Sequence, residues 1–193
     1  MQRGADPRVQ DLLERFAHHA PLDALESDAI DHLRGLLEAS VAPFARTTLP
    51  VHVTASAVVL DATRDVVLLH LHRRLGRWLQ PGGHIESAER PEDAAVRETI
   101  EETAVAVRHP RSGPVIVHLD EHPGPDGHLH LDLRYLLMAD ADAPAVGNGE
   151  ATGAGPGPTL RWEDADGVAR HADPSLARAV AALHRRIPAI DLD

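Results

Sequence analysis

Cysteine and lysine are absent from the 193-residue sequence, and aromatic residues make up only 3% of it. Without cysteine the chain can form no disulfide bond, zinc–thiolate site, iron–sulfur cluster or thiol nucleophile. Without lysine it cannot use a Schiff-base or lysine-nucleophile mechanism. The scarcity of aromatic side chains leaves little material for stacking on nucleic-acid bases. These absences exclude catalysis by cysteine thiols and by lysine amines.

The sequence also lacks long apolar runs and an excess of positive charge. No apolar run approaches the roughly 20 residues that a membrane-spanning helix requires, and the N-terminal stretch MQRGADPRVQDLLERF contains no apolar segment typical of a secretion signal. We therefore expect a cytoplasmic protein. Acidic residues number 30 against 19 basic residues, for a formal net charge of −11. This balance argues against nucleic-acid binding, and an anionic substrate would need a metal cation as mediator.

Residues 6–41 have the pattern of two amphipathic helices. Asp6 is a typical N-cap with Pro7 as first helical residue, and Ser27 is the predicted N-cap of the second helix. The apolar positions of the two helices are Val9, Leu12, Leu13, Phe16, Ile30, Leu33, Leu37 and Val41. We expect a helical segment over residues 1–45 to pack on a main domain of residues 46–193, because apolar stripes are usually buried. A substrate lid or a dimer contact is the alternative role.

The rest of the sequence alternates between strand-like and helical patterns. Strands are predicted over residues 51–60, 65–72, 114–120, 128–138 and 159–162, with a further strand from residue 77 that breaks into a glycine-rich loop. Helices are predicted over 91–105 and 173–186. Residues 139–158 are rich in alanine, glycine and proline, which predicts a flexible surface loop. The irregular alternation indicates an α/β or α+β protein with a mixed sheet.

The predicted helix over 91–105 concentrates three carboxylates on one side. At 100° per residue, Glu98, Glu101 and Glu102 fall within an arc of about 100°. Like charges at these spacings repel and weaken an isolated helix by a few tenths of a kcal/mol per pair. A divalent cation would compensate the repulsion, and Mg²⁺ takes oxygen ligands while retaining waters and substrate phosphates.

Other residues near this helix can support the carboxylates. Arg97 lies on the same side as Glu101, and Glu89 comes just before the helix. A bidentate pair between Arg97 and Glu89 would fix the loop to the helix. Gly82 and Gly83 allow the backbone to turn tightly and to approach a ligand.

The stretch from Gly83 to Val105 resembles the Nudix box, the signature of the Nudix hydrolase family. The residues that match it in register are Gly83, Glu89, Arg97, Glu98, Glu101, Glu102 and Val105. Thr99 stands where the signature has an aliphatic residue, and Ala104 stands where it has glycine. Neither departure removes a carboxylate. The similarity extends beyond the box, over residues 50–186.

The resemblance implies a fold and an activity. The fold would be an α/β/α sandwich with a mixed β-sheet, preceded here by the N-terminal helical hairpin. The activity would be hydrolysis of a nucleoside diphosphate linked to another group, with Mg²⁺ or Mn²⁺ as cofactor. The expected partner is a small nucleotide diphosphate, with no membrane and no nucleic acid. A homodimer is compatible with the family, although no feature of the sequence demands one.

The resemblance also assigns roles by position. The catalytic and metal-binding carboxylates would be Glu98, Glu101 and Glu102, and the carbonyl of Gly83 would add a ligand. Glu89 and Arg97 would support this set. A general base in the family often comes from a loop of variable position, and the candidate loop acids are Asp120, Glu121 and Glu150.

Several polar residues outside the box are candidates for substrate binding. Alternate residues of a strand share one face, and on the strand over 128–138 these are His128, His130, Asp132 and Arg134. They form either a substrate wall, with Arg134 on a phosphate, or the solvent-exposed face of an antiparallel strand. Arg73 and Arg74 either contact phosphate or form a plain surface pair. Trp78 and Trp162 either stack on a base or pack in the core, which we favour.

Three other functions compete with the hydrolase. A Nudix-like domain could bind a metabolite as a sensor without turnover, although a sensor has no need of the intact carboxylate set. An isoprenoid diphosphate isomerase resembles Nudix proteins in fold but uses a catalytic cysteine, which this chain lacks. RNA decapping is disfavoured by the acidic charge and the few aromatic residues. The identity of the substrate does not follow from fold similarity.

Overall fold

The computed structural model describes residues 6–124, 127–142 and 159–192 of the chain. Its first two helices are α1 (Pro7–Ala17) and α2 (Ala24–Ala39). The Asp6 carboxylate accepts a hydrogen bond from the backbone N–H of Arg8 at 3.0 Å, as expected of an N-cap. The second N-cap is Asp23, which accepts from the N–H of Glu26 at 3.0 Å. The prediction of Ser27 as N-cap is therefore wrong, because Asp23 already caps the helix four residues earlier.

The helical hairpin packs on the main domain. Leu12, Phe16, Leu33 and Leu37 are buried in one hydrophobic cluster together with residues of the sheet. The packing role predicted for the hairpin is therefore confirmed. Val41 is 96% exposed, contrary to the prediction, because α2 ends at Ala39 and the helical stripe ends with it.

Seven strands form one mixed sheet. They are β1 (Val51–Asp61), β2 (Val66–His72), β3 (Arg77–Leu79), β4 (Gly82–His84), β5 (Ile116–Pro123), β6 (Leu129–Met138) and β7 (Leu160–Glu163). The strand order is β3-β2-β1-β6-β5, with β4 paired to β1 and β7 paired to β2. The central pair, β1 and β6, is parallel, whereas the neighbouring pairs are antiparallel. The mixed sheet predicted from the sequence is confirmed.

Helices cover both faces of this sheet. The remaining helices are α3 (Pro91–Thr103), α4 (Ala165–His171) and α5 (Pro174–Arg186), followed by a 3-10 turn (Ile187–Ala189). Val53 and Leu133 face the cluster that holds α1 and α2, whereas Val58 and Leu136 face α4 and α5. The result is the α/β/α sandwich that the resemblance implies. None of the helices in these ranges is long and apolar enough to cross a membrane.

Some predicted boundaries differ from the structure. Strand β5 continues to Pro123, beyond its predicted end at residue 120, because it pairs with β6 as far as Leu129. Helix α4 was missed, since seven residues are too few to show a clear helical period. Of the predicted flexible loop over 139–158, residues 143–158 lie outside the described ranges. The domain division at residues 45/46 stays a prediction.

The two departures from the Nudix box have different structural consequences. Thr99 is buried, and its hydroxyl donates to the carbonyl of Ala95 at 2.7 Å, so its polar atom is satisfied within α3. Ala104 ends α3 in the left-handed region, with φ 58° and ψ 15°. This conformation costs an L-residue roughly 1–2 kcal/mol, whereas glycine adopts it freely. Ala104 is therefore a strained position.

We predict that Ala104→Gly raises the free energy of unfolding by up to about 1 kcal/mol. Relief of the left-handed strain exceeds the added backbone entropy of glycine, and the lost buried methyl group offsets part of the gain. Urea denaturation of purified protein measures the change. The matched control Ala95→Gly, in the interior of the same helix, should lower stability by about 1 kcal/mol or more. Equal destabilisation by both variants would contradict the assignment of strain to Ala104.

Candidate active site

The carboxylates of α3 meet the glycine-rich strand β4. The backbone N–H of Gly82 donates to Oε2 of Glu102 at 3.0 Å. A Cβ atom on Gly83 would lie 2.5 Å from the carboxyl carbon of Glu98, which only the absence of a side chain allows. Glu101 is more exposed, with 47% of its side chain accessible. The absence of a side chain at Gly83 therefore lets Glu98 lie directly against the backbone of β4, where the N–H of Gly82 also binds Glu102.

Arg97 holds this arrangement together. Its Nε and Nη2 atoms donate to the two oxygens of Glu89 at 2.8 and 3.0 Å, which is the predicted bidentate pair. Its Nη1 donates to Glu98 at 2.8 Å and to Glu101 at 3.1 Å. Nη2 also donates to the carbonyl of His84 at 2.9 Å. One guanidinium group thus links the loop before α3, the carboxylates on α3 and the end of β4.

The pKa values of these groups follow from burial and from the position of Arg97. Burial raises the pKa of Glu98, and the hydrogen bond from Arg97 opposes this effect without cancelling it. Burial also acts to raise the pKa of Glu89, but hydrogen bonds from Arg97 and from the N–H of Glu86 hold it below its usual value. The hydrogen bond to Glu89 is the main cause that raises the pKa of Arg97, so Arg97 stays charged.

A cleft of about 860 Å³ opens beside these carboxylates. One wall comes from the box and includes Gly83, Glu98 and Glu102. The opposite wall is the segment of residues 41–47 that follows α2. In that segment Arg46 is exposed, and in the described part of the chain no ion pair engages it. Sequence reasoning missed Arg46, because nothing in its local sequence shows that the chain returns to the site there.

A second residue that the sequence did not reveal is His70 on β2. Its Nε2 lies 3.5 Å from Oε2 of Glu102. Burial is the largest cause that lowers the pKa of His70, to about 4, so the ring is neutral near pH 7. The carboxylate of Glu102 therefore lies between the N–H of Gly82 and an uncharged imidazole.

The polar residues predicted on one face of β6 do share a face, but it is buried. Asp132 accepts hydrogen bonds from Thr54 at 3.0 Å and Ser56 at 2.6 Å. Arg134 donates to Asp132, to Asp120 and to the carbonyl of Ser175. Asp132 and Arg134 are 3% and 2% exposed, so the solvent-exposed alternative is wrong for both. The physical reason is that β6 lies inside the sheet, with α5 packed over this face.

The buried position of Arg134 restricts its predicted contact with a substrate phosphate. Each of its three nitrogens donates to a protein acceptor and the residue is 2% exposed, so substrate phosphate could reach the remaining N–H groups only if the covering residues moved. His128 and His130 lie further along this face, where their Nε2 atoms are 3.1 Å apart. Substrate binding by these residues stays a prediction.

The remaining candidates lie away from the cleft walls. Arg73 and Arg74 are exposed in the turn between β2 and β3. Asp120 is buried beside Arg134 and His122; although burial alone would raise its pKa, these partners lower it well below its usual value. Glu121 is hydrogen-bonded to His32 at 2.5 Å. Asp120 and Glu121 both lie on β5, which continues to Pro123, so the prediction that they are loop acids is wrong. Glu150 lies outside the described residues.

Both tryptophans are partly buried against the core, which is the role favoured from the sequence over stacking on a base. Trp78 packs against the cluster formed by α4 and α5, and Trp162 packs against a smaller cluster around Val59 and Leu68. The guanidinium carbon of Arg161 lies 4.6 Å from the centroid of the Trp78 ring. Neither tryptophan is among the described residues that line the cleft.

The donor set at the cleft suits a hard divalent cation. Mg²⁺ is commonly bound through one or two carboxylates plus substrate phosphates. Glu98 and Glu102 offer such carboxylates at the cleft wall, and the missing Cβ of Gly83 lets the Glu98 carboxylate lie beside the backbone there. The oxygen-only donors fit Zn²⁺ and copper less well. The residues present therefore fit the cation that the box implies.

Comparison with known proteins gives the same family. A crystal structure of a NUDIX-family hydrolase from Clostridium perfringens is 24% identical, covers 69% of this chain and 97% of that chain, and has a TM-score of 0.51. A MutT NUDIX hydrolase from Burkholderia pseudomallei is 20% identical, with coverage of 69% and 98% and a TM-score of 0.52. The C. elegans Ap4A hydrolase is 15% identical, with coverage of 70% and 97% and a TM-score of 0.55.

At these identities the neighbouring structures show that the fold is shared. A family model described as the NUDIX domain matches residues 50–180, which is more than half of the chain. The matched range contains the box, the whole sheet and the carboxylates at the cleft. The chain therefore belongs to the NUDIX family of hydrolases.

Proposed function

We propose that the protein is a pyrophosphohydrolase that uses Mg²⁺ or Mn²⁺ and cleaves the diphosphate of a nucleoside diphosphate linked to another group. The observation that carries the proposal is the meeting of Glu98 and Glu102 with Gly82 and Gly83 at the wall of a cleft of about 860 Å³. Arg46 on the opposite wall adds a positive charge in a net acidic protein.

The roles of the residues follow from their positions. Glu98 and Glu102, with Glu101 and the carbonyl of Gly83 as further donors, would hold the cation. When bound, the cation would neutralise the negative charge of the diphosphate and lower the pKa of the attacking water. Catalysis of phosphoryl transfer depends mainly on such positioning and charge stabilisation. Arg97 and Glu89 would keep the carboxylates in place.

The substrate class rests on chemistry and on the neighbours. The cleft has room for a group larger than a diphosphate, and it combines carboxylates for a cation with an arginine for a phosphate. Among the neighbours, the C. elegans protein is named an Ap4A hydrolase. Dinucleoside polyphosphates therefore belong in the first substrate panel, together with nucleoside triphosphates and nucleotide sugars.

The carboxylate variants test the proposal directly. We predict that the wild-type protein releases phosphate or nucleotide from at least one member of the panel with Mg²⁺ or Mn²⁺. Glu98→Gln and Glu102→Gln should each lower kcat by about 100-fold or more, because loss of a direct metal ligand should cost at least as much as loss of a supporting group. The control is Glu38→Gln, an exposed carboxylate on α2, which should leave kcat unchanged.

Two other outcomes would point to other functions. Tight ligand binding without turnover, unaffected by Glu98→Gln and Glu102→Gln, would favour the sensor. Cleavage of capped RNA much faster than of free nucleotides would favour decapping, and proton exchange on isopentenyl diphosphate would favour the isomerase.

Arg46 provides a test of substrate binding. We predict that Arg46→Gln raises KM about 10- to 150-fold with a small change in kcat, because a charge-assisted hydrogen bond to phosphate corresponds to roughly 1.5–3 kcal/mol. Steady-state kinetics on the best substrate measures both constants. Arg111→Gln, an exposed arginine in a turn, should change neither. An unchanged KM in Arg46→Gln would remove Arg46 from the binding site.

Arg97 is a positioning residue, and its geometry matters more than its charge. We predict that Arg97→Lys lowers kcat by roughly 10- to 100-fold and raises the Mg²⁺ concentration needed for half-maximal rate, because lysine cannot form the two-pronged contact with Glu89. Titration of the rate with Mg²⁺ measures both effects, with Arg111→Lys as control. Unchanged Mg²⁺ dependence in a folded Arg97→Lys protein would show that Arg97 does not position the carboxylates.

A further inference from the structure

Four histidines meet on the sheet face that carries Asp132. Three of them lie on strands, and the fourth lies just before a strand. His52 lies on β1, His84 at the end of β4, His130 on β6, and His128 just before β6. The register explains their meeting, because His52 pairs with His130 and Thr54 pairs with His84. One ring nitrogen from each of the four lies within 4.8 Å of all the others. Residues up to 78 apart in sequence thus converge on one point.

The distances are close to those of a metal centre. The Nε2 atoms of His128 and His130 are 3.1 Å apart. The ring centroid of His52 lies 4.9 Å from those of His128 and His130 and 5.2 Å from that of His84. A tetrahedral ion with bonds of about 2.0–2.1 Å separates its ligand atoms by roughly 3.3 Å. Small rotations of the more separated rings would reach this spacing.

His52 is oriented as a metal-binding histidine commonly is. Its Nδ1 lies 3.1 Å from the carbonyl of Thr48, to which it donates when Nδ1 carries the proton. A bond of this kind fixes the tautomer with a free lone pair on Nε2 and is typical of histidine ligands. His52 is 0% exposed, and in the described structure its Nε2 has no hydrogen-bond partner. A buried nitrogen without a partner is costly unless something binds it.

The electrostatics of the cluster are consistent with neutral rings. Burial is the largest cause that lowers the pKa of His52, His84 and His130, with His130 at about 4. The neutral imidazole is the form that donates a lone pair to a metal. Gly124 leaves room for two of these rings, because a Cβ atom at this position would lie 2.5 Å from Nε2 of His130 and 2.9 Å from Nε2 of His128.

We propose that His52, His84, His128 and His130 form a binding site for one transition-metal ion, best matched by Zn²⁺. Imidazole nitrogen suits zinc and its neighbours in the transition series, whereas the carboxylates at the cleft suit Mg²⁺. Four protein ligands complete a tetrahedral shell, which is typical of structural zinc. Such an ion would join β4 and the entry of β6 to β1 through side chains. His84 also lines the cleft, but the histidine site does not rest on the proposed hydrolysis.

The test measures metal binding to the full chain. The protein is stripped with a chelator, and Zn²⁺ is titrated against a chromophoric chelator in excess Mg²⁺, which occupies the carboxylates. We expect one Zn²⁺ per chain. Co²⁺ in place of Zn²⁺ should give the intense visible absorption of a tetrahedral site. Elemental analysis of the desalted protein confirms the stoichiometry.

Variants locate the ion. His84→Ala and His128→Ala remove half-buried ligands, and each should weaken Zn²⁺ binding by about 100-fold or more and abolish the Co²⁺ spectrum, because each removes a direct ligand. His184→Ala, an exposed histidine on α5, should bind Zn²⁺ like the wild type, and so should Glu102→Gln. Circular dichroism verifies that each variant is folded.

Three results would overturn the proposal. These are no Zn²⁺ retained in excess Mg²⁺, equal affinity in His84→Ala and His184→Ala, or loss of binding in Glu102→Gln alone. Thermal unfolding gives an independent measure, since Zn²⁺ should raise the Tm of the wild type and not that of folded His84→Ala or His128→Ala. Because every measurement here concerns binding rather than turnover, an inactive hydrolase would leave the result interpretable.

Discussion

Arg97 makes contacts with three pieces of chain that would otherwise be independent. Its guanidinium binds Glu89 in the loop, Glu98 and Glu101 on α3, and the carbonyl of His84 on β4. A planar group with donors in fixed directions can satisfy these acceptors at once, which a lysine cannot do. It also places positive charge among carboxylates that repel one another. The geometry of the acidic site therefore depends on this one side chain.

The contact with His84 connects the two sites. The backbone of His84 is held by Arg97, and its ring belongs to the histidine cluster. Gly82 and Gly83, just before it, lie against Ser56 and Glu98 at distances that no side chain would allow. A strand of three residues thus contributes to both sites, and His84 itself belongs to the histidine cluster and lines the cleft. Its short length suits this role, because few backbone hydrogen bonds hold it and side chains must do the rest.

The sequence predicted the features that depend only on residues close together in the chain. Glu98, Glu101, Glu102 and Arg97 belong to one helix, and Glu89 lies two residues before its start, so spacing alone was enough. The capping of α1 by Asp6 was predicted for the same reason. Glycine, expected at position 104, is replaced by a strained alanine, and only the backbone angles show how the chain accommodates it.

Features that depend on strand register could not be predicted. Arg46, His52, His70 and His84 are ordinary residues in sequence. His52 and His84 meet only when β1 pairs with β4 and β6, whereas His70 reaches Glu102 from β2 and Arg46 reaches the cleft from the segment after α2. The burial of Asp132 and Arg134 has the same origin, because a polar alternation looks identical on an exposed strand and on one covered by a helix. Helix spacing is fixed by geometry, whereas register is fixed by distant contacts.

The parallel pairing of β1 with β6 also has a consequence for how the chain folds. Thr54 and Asp132, which face each other across this pair, are 78 residues apart in sequence. Contacts of such long range form slowly, since a large loop must close before they contribute to stability. During synthesis β1 leaves the ribosome well before β6, with one edge unpaired. Until β6 arrives, that edge presents unpaired backbone N–H and C=O groups, which in general favour pairing with another chain.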